Sequence, residues 1–210
     1  SGNCHSTSSP LGSIRRGSSV VMVNQPNPNR ESCEAVASPY NATDSSSIQS
    51  NTTAIQSVLV VGAGWVGRQI VAQLAAFGIK VSWYDLSTES LSSGIQWIKN
   101  QIDERIDETS WPITAKHPLE RIDLVPDIQV LHGAIDLAIE SVTEQISAKR
   151  SVLKTLSKCL SPETIIASNS SYFTPSMLER FVEHPHRFAH FHFHVPVWRS
   201  RLVDIASCSQ

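Results

Sequence analysis

From residue 55 onward, short apolar runs alternate with longer stretches in which apolar residues recur every three or four positions. The run at 57–61 (SVLVV) is not interrupted by polar residues, which predicts a strand buried on both faces. Positions 66–77 carry apolar residues at helical spacing and end at Gly78, a predicted C-cap. A second strand is predicted over 79–84, with Asp85 at its end, then a long helix over 87–109 with Leu91, Ile95, Ile98 and Ile102 on one face. Pro112, Pro118 and Pro126 bound a loop without a readable pattern. Beyond it the pattern predicts strands over 128–131 and 136–140, a helix over 144–160 and a strand over 164–168. A short helix over 174–182, with Pro175 in its first turn, and strands over 187–193 and 202–205 complete the series.

Such alternation predicts an α/β fold: a doubly wound, mostly parallel sheet with helices on both faces. Residues 1–54 differ, being dominated by Ser, Asn, Thr and Pro without periodic apolar positions. That stretch cannot bury enough apolar surface to offset its chain entropy, so a disordered tail is predicted ahead of one domain at 55–210.

A net charge of -2 excludes the broad basic field that a nucleic acid or an anionic membrane attracts. No run approaches the roughly 18 apolar residues of a bilayer span. The cysteines, Cys4, Cys33, Cys159 and Cys208, show no CxxC spacing and are read as free thiols. Residues 1–30 hold Arg15, Arg16 and Arg30, no acidic residue and many serines, a balance compatible with a transit peptide, although no amphipathic helix is evident. A cytoplasmic location is the expectation, with the mitochondrial matrix as the alternative should the tail be such a peptide.

Gly62-Ala63-Gly64-Trp65-Val66-Gly67 is a GxGxxG placed between a buried strand and a helix, the context of a dinucleotide-binding Rossmann unit. Gly62 suits the tight turn, Gly64 a close approach of pyrophosphate, and Gly67 close packing of helix on strand. The first-turn amides of the helix, at Trp65, Val66 and Gly67, would receive phosphate at its positive end, with no role given to the Trp65 ring. Asp85, 18 residues past Gly67, stands where an acidic residue accepts hydrogen bonds from the adenosine ribose and repels a 2′-phosphate, so the expected cofactor is NAD. The same residue also suits a helix cap ahead of Ser87 and Glu89.

Ligands of doubly wound sheets bind at the carboxyl ends of the strands. Glu140, the segment Ser168-Asn169-Ser170-Ser171, His192 and Asp204 all fall near such predicted ends. Three of these segments are similar to motifs of the 3-hydroxyacyl-CoA dehydrogenases. Residues 136–144 (DLAIESVTE) resemble DLVVEAxxE, and 167–171 (ASNSS) resemble ASNTSS. Residues 187–196 (RFAHFHFHVP), followed by Leu202-Val203-Asp204, resemble RFxGxHFFNPxxxxxLVEV. The resemblance implies that His192 is the general base for a 3-hydroxyl, that Asp204 orients and stabilises its imidazole, and that Ser171 hydrogen-bonds the substrate oxygen. It also implies that Glu140 and Asn169 lie near the cofactor. Its substrate would be an acyl-CoA or a related small hydroxy acid. The chemistry requires such a base, because hydride leaves a secondary alcohol readily only when the hydroxyl proton leaves too.

In three respects the chain departs from the motifs. Val195 replaces an asparagine, Asp204 replaces a glutamate, and the family's helical domain, which completes the acyl-CoA pocket and carries the dimer contacts, is expected to be absent from these residues, so that the chain is read either as a fragment of a longer protein or as incomplete for the activity. A homodimer is accordingly expected only with that domain. The alternatives are a non-catalytic NAD-binding module and a gulonate dehydrogenase-like enzyme acting on a hydroxy sugar acid. Ser171 also suits an ST-turn or a helix cap, and Asp204 a solvated strand end. No GxSxG elbow supports a hydrolase. His190, His192 and His194 alternate on one strand, but no further ligand cluster is evident in the sequence, so no metal is expected.

Overall fold

A computed structural model describes residues 55–105, 116–131, 135–200 and 202–207, together with a strand at 19–22. In chain order the elements are β1 (Ser19–Met22), β2 (Ser57–Val61), α1 (Trp65–Ala76), β3 (Lys80–Tyr84), α2 (Thr88–Arg105), β4 (Ile122–Leu124) and β5 (Leu137–Glu140). They are followed by α3 (Ile146–Cys159), β6 (Ile165–Ser168), α4 (Pro175–Leu178), β7 (Phe188–Phe193), α5 (Val197–Ser200) and β8 (Leu202–Ser207).

The sheet has the order β1-β8-β7-β6-β5-β2-β3-β4. Strands β4 to β7 in that order are parallel to their neighbours, while β8 is antiparallel to β7 and β1 to β8. The expected doubly wound α/β architecture is thus the one observed. From β2 the chain winds outward through β3 and β4, then returns to build β5, β6 and β7 on the other side. The reversal leaves a crevice between the loops that follow β2 and β5, the place where such sheets bind ligands.

The uninterrupted apolar run of β2 serves both faces. Val58 and Val60 pack with Ile70, Val71 and Ala72 of α1 and with Leu91 and Ile98 of α2. Leu59 and Val61 pack with Leu153 and Leu156 of α3 on the opposite side. Helix α1 ends in a Schellman motif: Gly78, at φ 83°, donates its N–H to Ala75, and Ile79 donates to Leu74. Gly94 of α2 lets the helix rest on Trp83, since a Cβ there would stand 2.3 Å from the ring. The indole Nε1 of Trp83 donates in turn to the Gly62 carbonyl (3.0 Å, buried), so packing of α2 on β3 also fixes the glycine loop.

Several expectations are corrected. Residues 128–131 form no strand; Ile128–Val130 is a 3-10 turn whose cap, Asp127, accepts from the Gln129 N–H. A short apolar run after Pro126 and Asp127 buries Ile128 as a single anchor instead of entering the sheet. A strand that the pattern does not show, β4, pairs with β3 inside the segment read as a loop; it is three residues long and mostly exposed, too short for a period. The helix expected over 174–182 is α4 followed by a 3-10 turn at Glu179–Phe181. Within the tail predicted to lack order, Ser19–Met22 covers the otherwise open edge of β8, a pairing that unsatisfied edge amides favour. The rest of 1–54, and residues 106–109 of the expected long helix, lie outside the described residues.

Candidate active site and cofactor cleft

Five residues lie in register across the carboxyl edge of the sheet: Tyr84, Val61, Glu140, Ser168 and His190. Everything that follows them in their strands or loops projects above this row. Strand β7 outruns β6, so His192 and His194 stand beyond the end of the parallel sheet, where β8 is the strand that still pairs with this stretch.

The glycine loop follows β2 and faces the loop after β5. Gly62 has φ 117°, and a Cβ on it would lie 2.3 Å from the Ser141 carbonyl. A Cβ on Gly67 would lie 2.2 Å from the Gly62 carbonyl. At Gly64 the same construction meets nothing within 4 Å, so the space above it is open to a ligand. Gly64 is the N-cap of α1 and makes no side-chain cap, and the first turn holds no acid, which leaves the helix-end amides free for an anion. Asp85 Oδ2 accepts from the Ala63 N–H (2.7 Å) and Oδ1 from Ser87 (2.8 Å), while each oxygen keeps a lone pair for a ribose hydroxyl. The cap of α2 is not Asp85 but Ser87, whose Oγ accepts from the Ser90 N–H. Loop and carboxylate line a cleft of about 810 Å³ with Ser141, Thr143 and Ser151. Arg68, not foreseen from the sequence, also lines it and holds the Ala63 and Gly64 carbonyls. These features fit a dinucleotide.

A second cleft of about 250 Å³ shares Gly64, Ser141, Val142 and Thr143 with the first, and adds Trp65, Val66, Glu144, Lys149, Asn169 and Ser171. Asn169 clasps three strands' ends: its amide donates to Ser141 Oγ (3.3 Å) and its carbonyl accepts from the Phe193 N–H (2.9 Å). Glu140 does not face this cleft. It is fully buried, accepting from Val142 N–H and Lys149 Nζ (each 2.8 Å) and from Ser168 Oγ (2.6 Å). With those partners Glu140 is held inside the protein, and the carboxylate that lines this cleft is Glu144, on the loop above. Glu144 pairs with Lys149 (3.0 Å) and accepts from Ser170 Oγ and the Tyr172 N–H. Burial raises the Glu144 carboxyl, but hydrogen bonds from Ser170 and Lys149, the Lys149 charge and the Tyr172 amide outweigh it and leave the group below its ordinary value. The available signal was Glu144, just ahead of α3, with Lys149 five residues on in the first turn of that helix.

Ser171 Oγ stands 3.1 Å from His192 Nε2, so residues 21 apart in sequence meet at the sheet edge. Asp204 is the cross-strand partner of His192, yet its Oδ2 is 3.7 Å from His192 Nδ1, beyond hydrogen-bond length. The carboxylate accepts instead from His194 Nε2 at 2.7 Å, a bond that holds Asp204 below the usual carboxylate range. His194 was given no task in the sequence. Phe191 and Phe193 alternate to the other face and pack on the core. His190 is more enclosed, and burial, aided by the neighbouring His192, pushes its imidazole below the ordinary value. Val195, in place of the motif's asparagine, is half exposed. Among the described residues no helix is long and apolar enough to cross a membrane.

Fold, glycine loop and acidic residue together define an NAD-binding domain of the Rossmann type. Residues 57–210 match the family described as 3-hydroxyacyl-CoA dehydrogenase, NAD binding domain, and the chain belongs to that family. It is 31% identical over 156 residues to a 3-hydroxyadipyl-CoA dehydrogenase of Escherichia coli (strain K12), an alignment covering 73% of this chain and 32% of the relative. A probable 3-hydroxybutyryl-CoA dehydrogenase of Bacillus subtilis (strain 168) is 30% identical over 152 residues, covering 72% and 53%. Among solved structures, that of 3-hydroxybutyryl-CoA dehydrogenase from Escherichia coli K12 superposes with a TM-score of 0.63 at 30% identity, covering 69% of this chain and 30% of that one. A diketoreductase structure gives 0.64 at 30% identity, covering 70% and 52%. The chain therefore spans about a third to a half of the length of these relatives.

Proposed function

We propose that the chain is the cofactor-binding half of an NAD-dependent oxidoreductase that converts an L-3-hydroxyacyl-CoA to its 3-ketoacyl-CoA, the alcohol-oxidising step of fatty-acid β-oxidation. The observation that carries this reading is the Ser171–His192 pair, 3.1 Å apart beside the cleft that contains Asn169 and Glu144.

Bound NAD supplies the hydride acceptor. The Gly62–Gly67 loop and the start of α1 would hold its pyrophosphate, Arg68 its charge and Asp85 the adenosine ribose. A substrate hydroxyl placed between Ser171 Oγ and His192 Nε2 donates its proton to the imidazole. The hydride leaves carbon 3 with its electron pair, and the carbon–oxygen double bond forms from the oxygen's electrons. For Nε2 to accept, Nδ1 must carry the other proton and be oriented by a carboxylate. Asp204 is the group within reach, and a modest side-chain rotation away from His194 would close the 3.7 Å gap. Ser171 holds the oxygen throughout, first as the hydroxyl's partner and then as donor to the ketone.

A second reading, an NAD-binding module without turnover, draws on the hydrogen bond that commits Asp204 to His194. A sugar-acid substrate, as in a gulonate dehydrogenase, is the remaining alternative within this chemistry. Acyl-chain recognition and any homodimer would depend on parts that the relatives have beyond the matched region.

The test is NADH formation from 3-hydroxybutyryl-CoA by the full-length gene product and its His192→Ala variant. Turnover that falls at least about a hundredfold in the variant supports the base role, whose usual worth is about 10²–10⁴-fold. Turnover surviving the substitution removes His192 from that role, and tight NAD binding without turnover on any hydroxy acid favours the module.

A further inference from the structure

His192 and His194 are two residues apart at the end of β7, so their imidazoles leave the same face of the strand. Asp204 lies opposite His192 on β8, and the Leu202 carbonyl accepts from the His194 N–H, extending the ladder past the last β7 residue. The backbone thus holds all three side chains over one spot. One nitrogen from each imidazole and one carboxylate oxygen lie within 4.8 Å of one another.

Asp204 Oδ2 is 2.7 Å from His194 Nε2 and 3.7 Å from His192 Nδ1. Donors held about 2.0–2.2 Å from a tetrahedral zinc ion stand about 3.3–3.6 Å apart, so the two separations straddle what an ion requires and side-chain rotation closes the set. The side chains are 32%, 38% and 50% exposed for His192, His194 and Asp204, which gives an ion access and leaves a position for water. Two imidazoles and one carboxylate suit a zinc-type transition ion, whereas calcium and magnesium select oxygen donors. His192 also has the outer partner that metal-bound imidazoles use: with Nδ1 on the ion, Nε2 carries the proton and donates to Ser171 Oγ, 3.1 Å away. His194 stands where the motif this segment resembles has phenylalanine, so the donor set belongs to this chain.

We propose that His192, His194 and Asp204 bind one divalent zinc-type ion and that the ion switches off His192 as a base. With Nδ1 ligated, the remaining imidazole proton sits on Nε2, and that nitrogen donates where catalysis needs it to accept. The binding stands independently of the dehydrogenase reading, on which only the switching rests.

The chain, prepared without a histidine tag and stripped with EDTA that is then removed, is titrated with ZnCl2 by calorimetry and with CoCl2 by visible absorption. The His194→Phe and Asp204→Asn variants are run beside it, with circular dichroism and NAD binding confirming that they fold. One ion per chain, visible bands of a tetrahedral or five-coordinate cobalt site, and at least about tenfold weaker Zn2+ binding in both variants are expected. No Zn2+ uptake and no cobalt bands, or equal affinity in folded His194→Phe, overturns the site. In the full-length gene product, Zn2+ should abolish NADH formation and EDTA restore it. Uptake with turnover untouched by Zn2+ overturns the switch, whereas uptake by a protein that turns over no hydroxyacyl thioester keeps the site and overturns the dehydrogenase reading.

Discussion

Lys149 Nζ lies 2.8 Å from Glu140 Oε1, and both side chains are removed from solvent. Lys149 reaches past that bond to Glu144 at 3.0 Å, and Glu144 in turn receives Ser170 and the Tyr172 amide. One buried cation therefore connects the end of β5 to the loop that presents Ser171. Lys149→Met strands the Glu140 carboxylate without its counter-charge, and a loss of about 3–5 kcal/mol is expected from urea unfolding. Adding Glu140→Gln, which removes the unpaired charge, should recover part of that loss. Equal stability of wild type and Lys149→Met would show that the pair contributes nothing.

The three glycines of the loop separate fold from ligand. Gly67→Ala drives a Cβ to 2.2 Å from a backbone carbonyl, so it should lower the melting temperature and NAD affinity together. Gly64→Ala meets nothing within 4 Å and should leave the melting temperature of the ligand-free chain unchanged while NAD binding, read by calorimetry, is lost. A Gly64→Ala chain that binds NAD as the wild type does would move the pyrophosphate away from this loop.

Asp85 touches both the loop and the open cleft. Removing its carboxylate in Asp85→Ala deletes charge-assisted hydrogen bonds of about 1.5–3 kcal/mol, equivalent to roughly ten- to hundredfold weaker NAD binding. The penalty for NADP should be smaller, because the like-charge repulsion of the 2′-phosphate disappears. Calorimetric titration with both dinucleotides checks the ratio, and an unchanged ratio counts against Asp85 as the selective residue.

Asp136 Oδ2 accepts from the Gln56 and Ser57 amides at 2.9 Å each, and these bonds hold its carboxyl below the ordinary value. A carboxyl depressed by folding contributes stability above its unfolded pKa and loses it as pH falls through the folded one. The melting temperature of the wild type should therefore exceed that of Asp136→Asn by a constant margin above about pH 5, narrowing below about pH 4. A margin that instead widens in acid would refute the assignment of the shift to these two amides.

Much of the architecture was legible because it is written locally. Strand β2 announces itself by an apolar run with no polar partner, α1 by its 3.6-residue period and Gly78, and the cofactor loop by the place of its glycines between them. Strand β4 and the turn at Ile128–Val130 were not legible, since three or four residues carry no period and their state depends on whether β3 offers an edge. The candidate site divides the same way. Ser171, Asn169, His192 and Asp204 were found from segments at strand ends, while Arg68, Glu144, Lys149 and His194 were not.

By itself the sequence determined most of the strands and helices, the glycine loop with Asp85 after the next strand, and the set of polar residues gathered at one sheet edge, because propensity, turn chemistry and hydrophobic period act over a few neighbouring residues. Only the tertiary structure decided that Glu140 is sealed against Lys149 while Glu144 meets the cleft, and that Asp204 bonds His194 more closely than His192. Those choices turn on separations of an ångström between side chains carried by different strands and loops, and such separations are set by how the sheet and its helices pack.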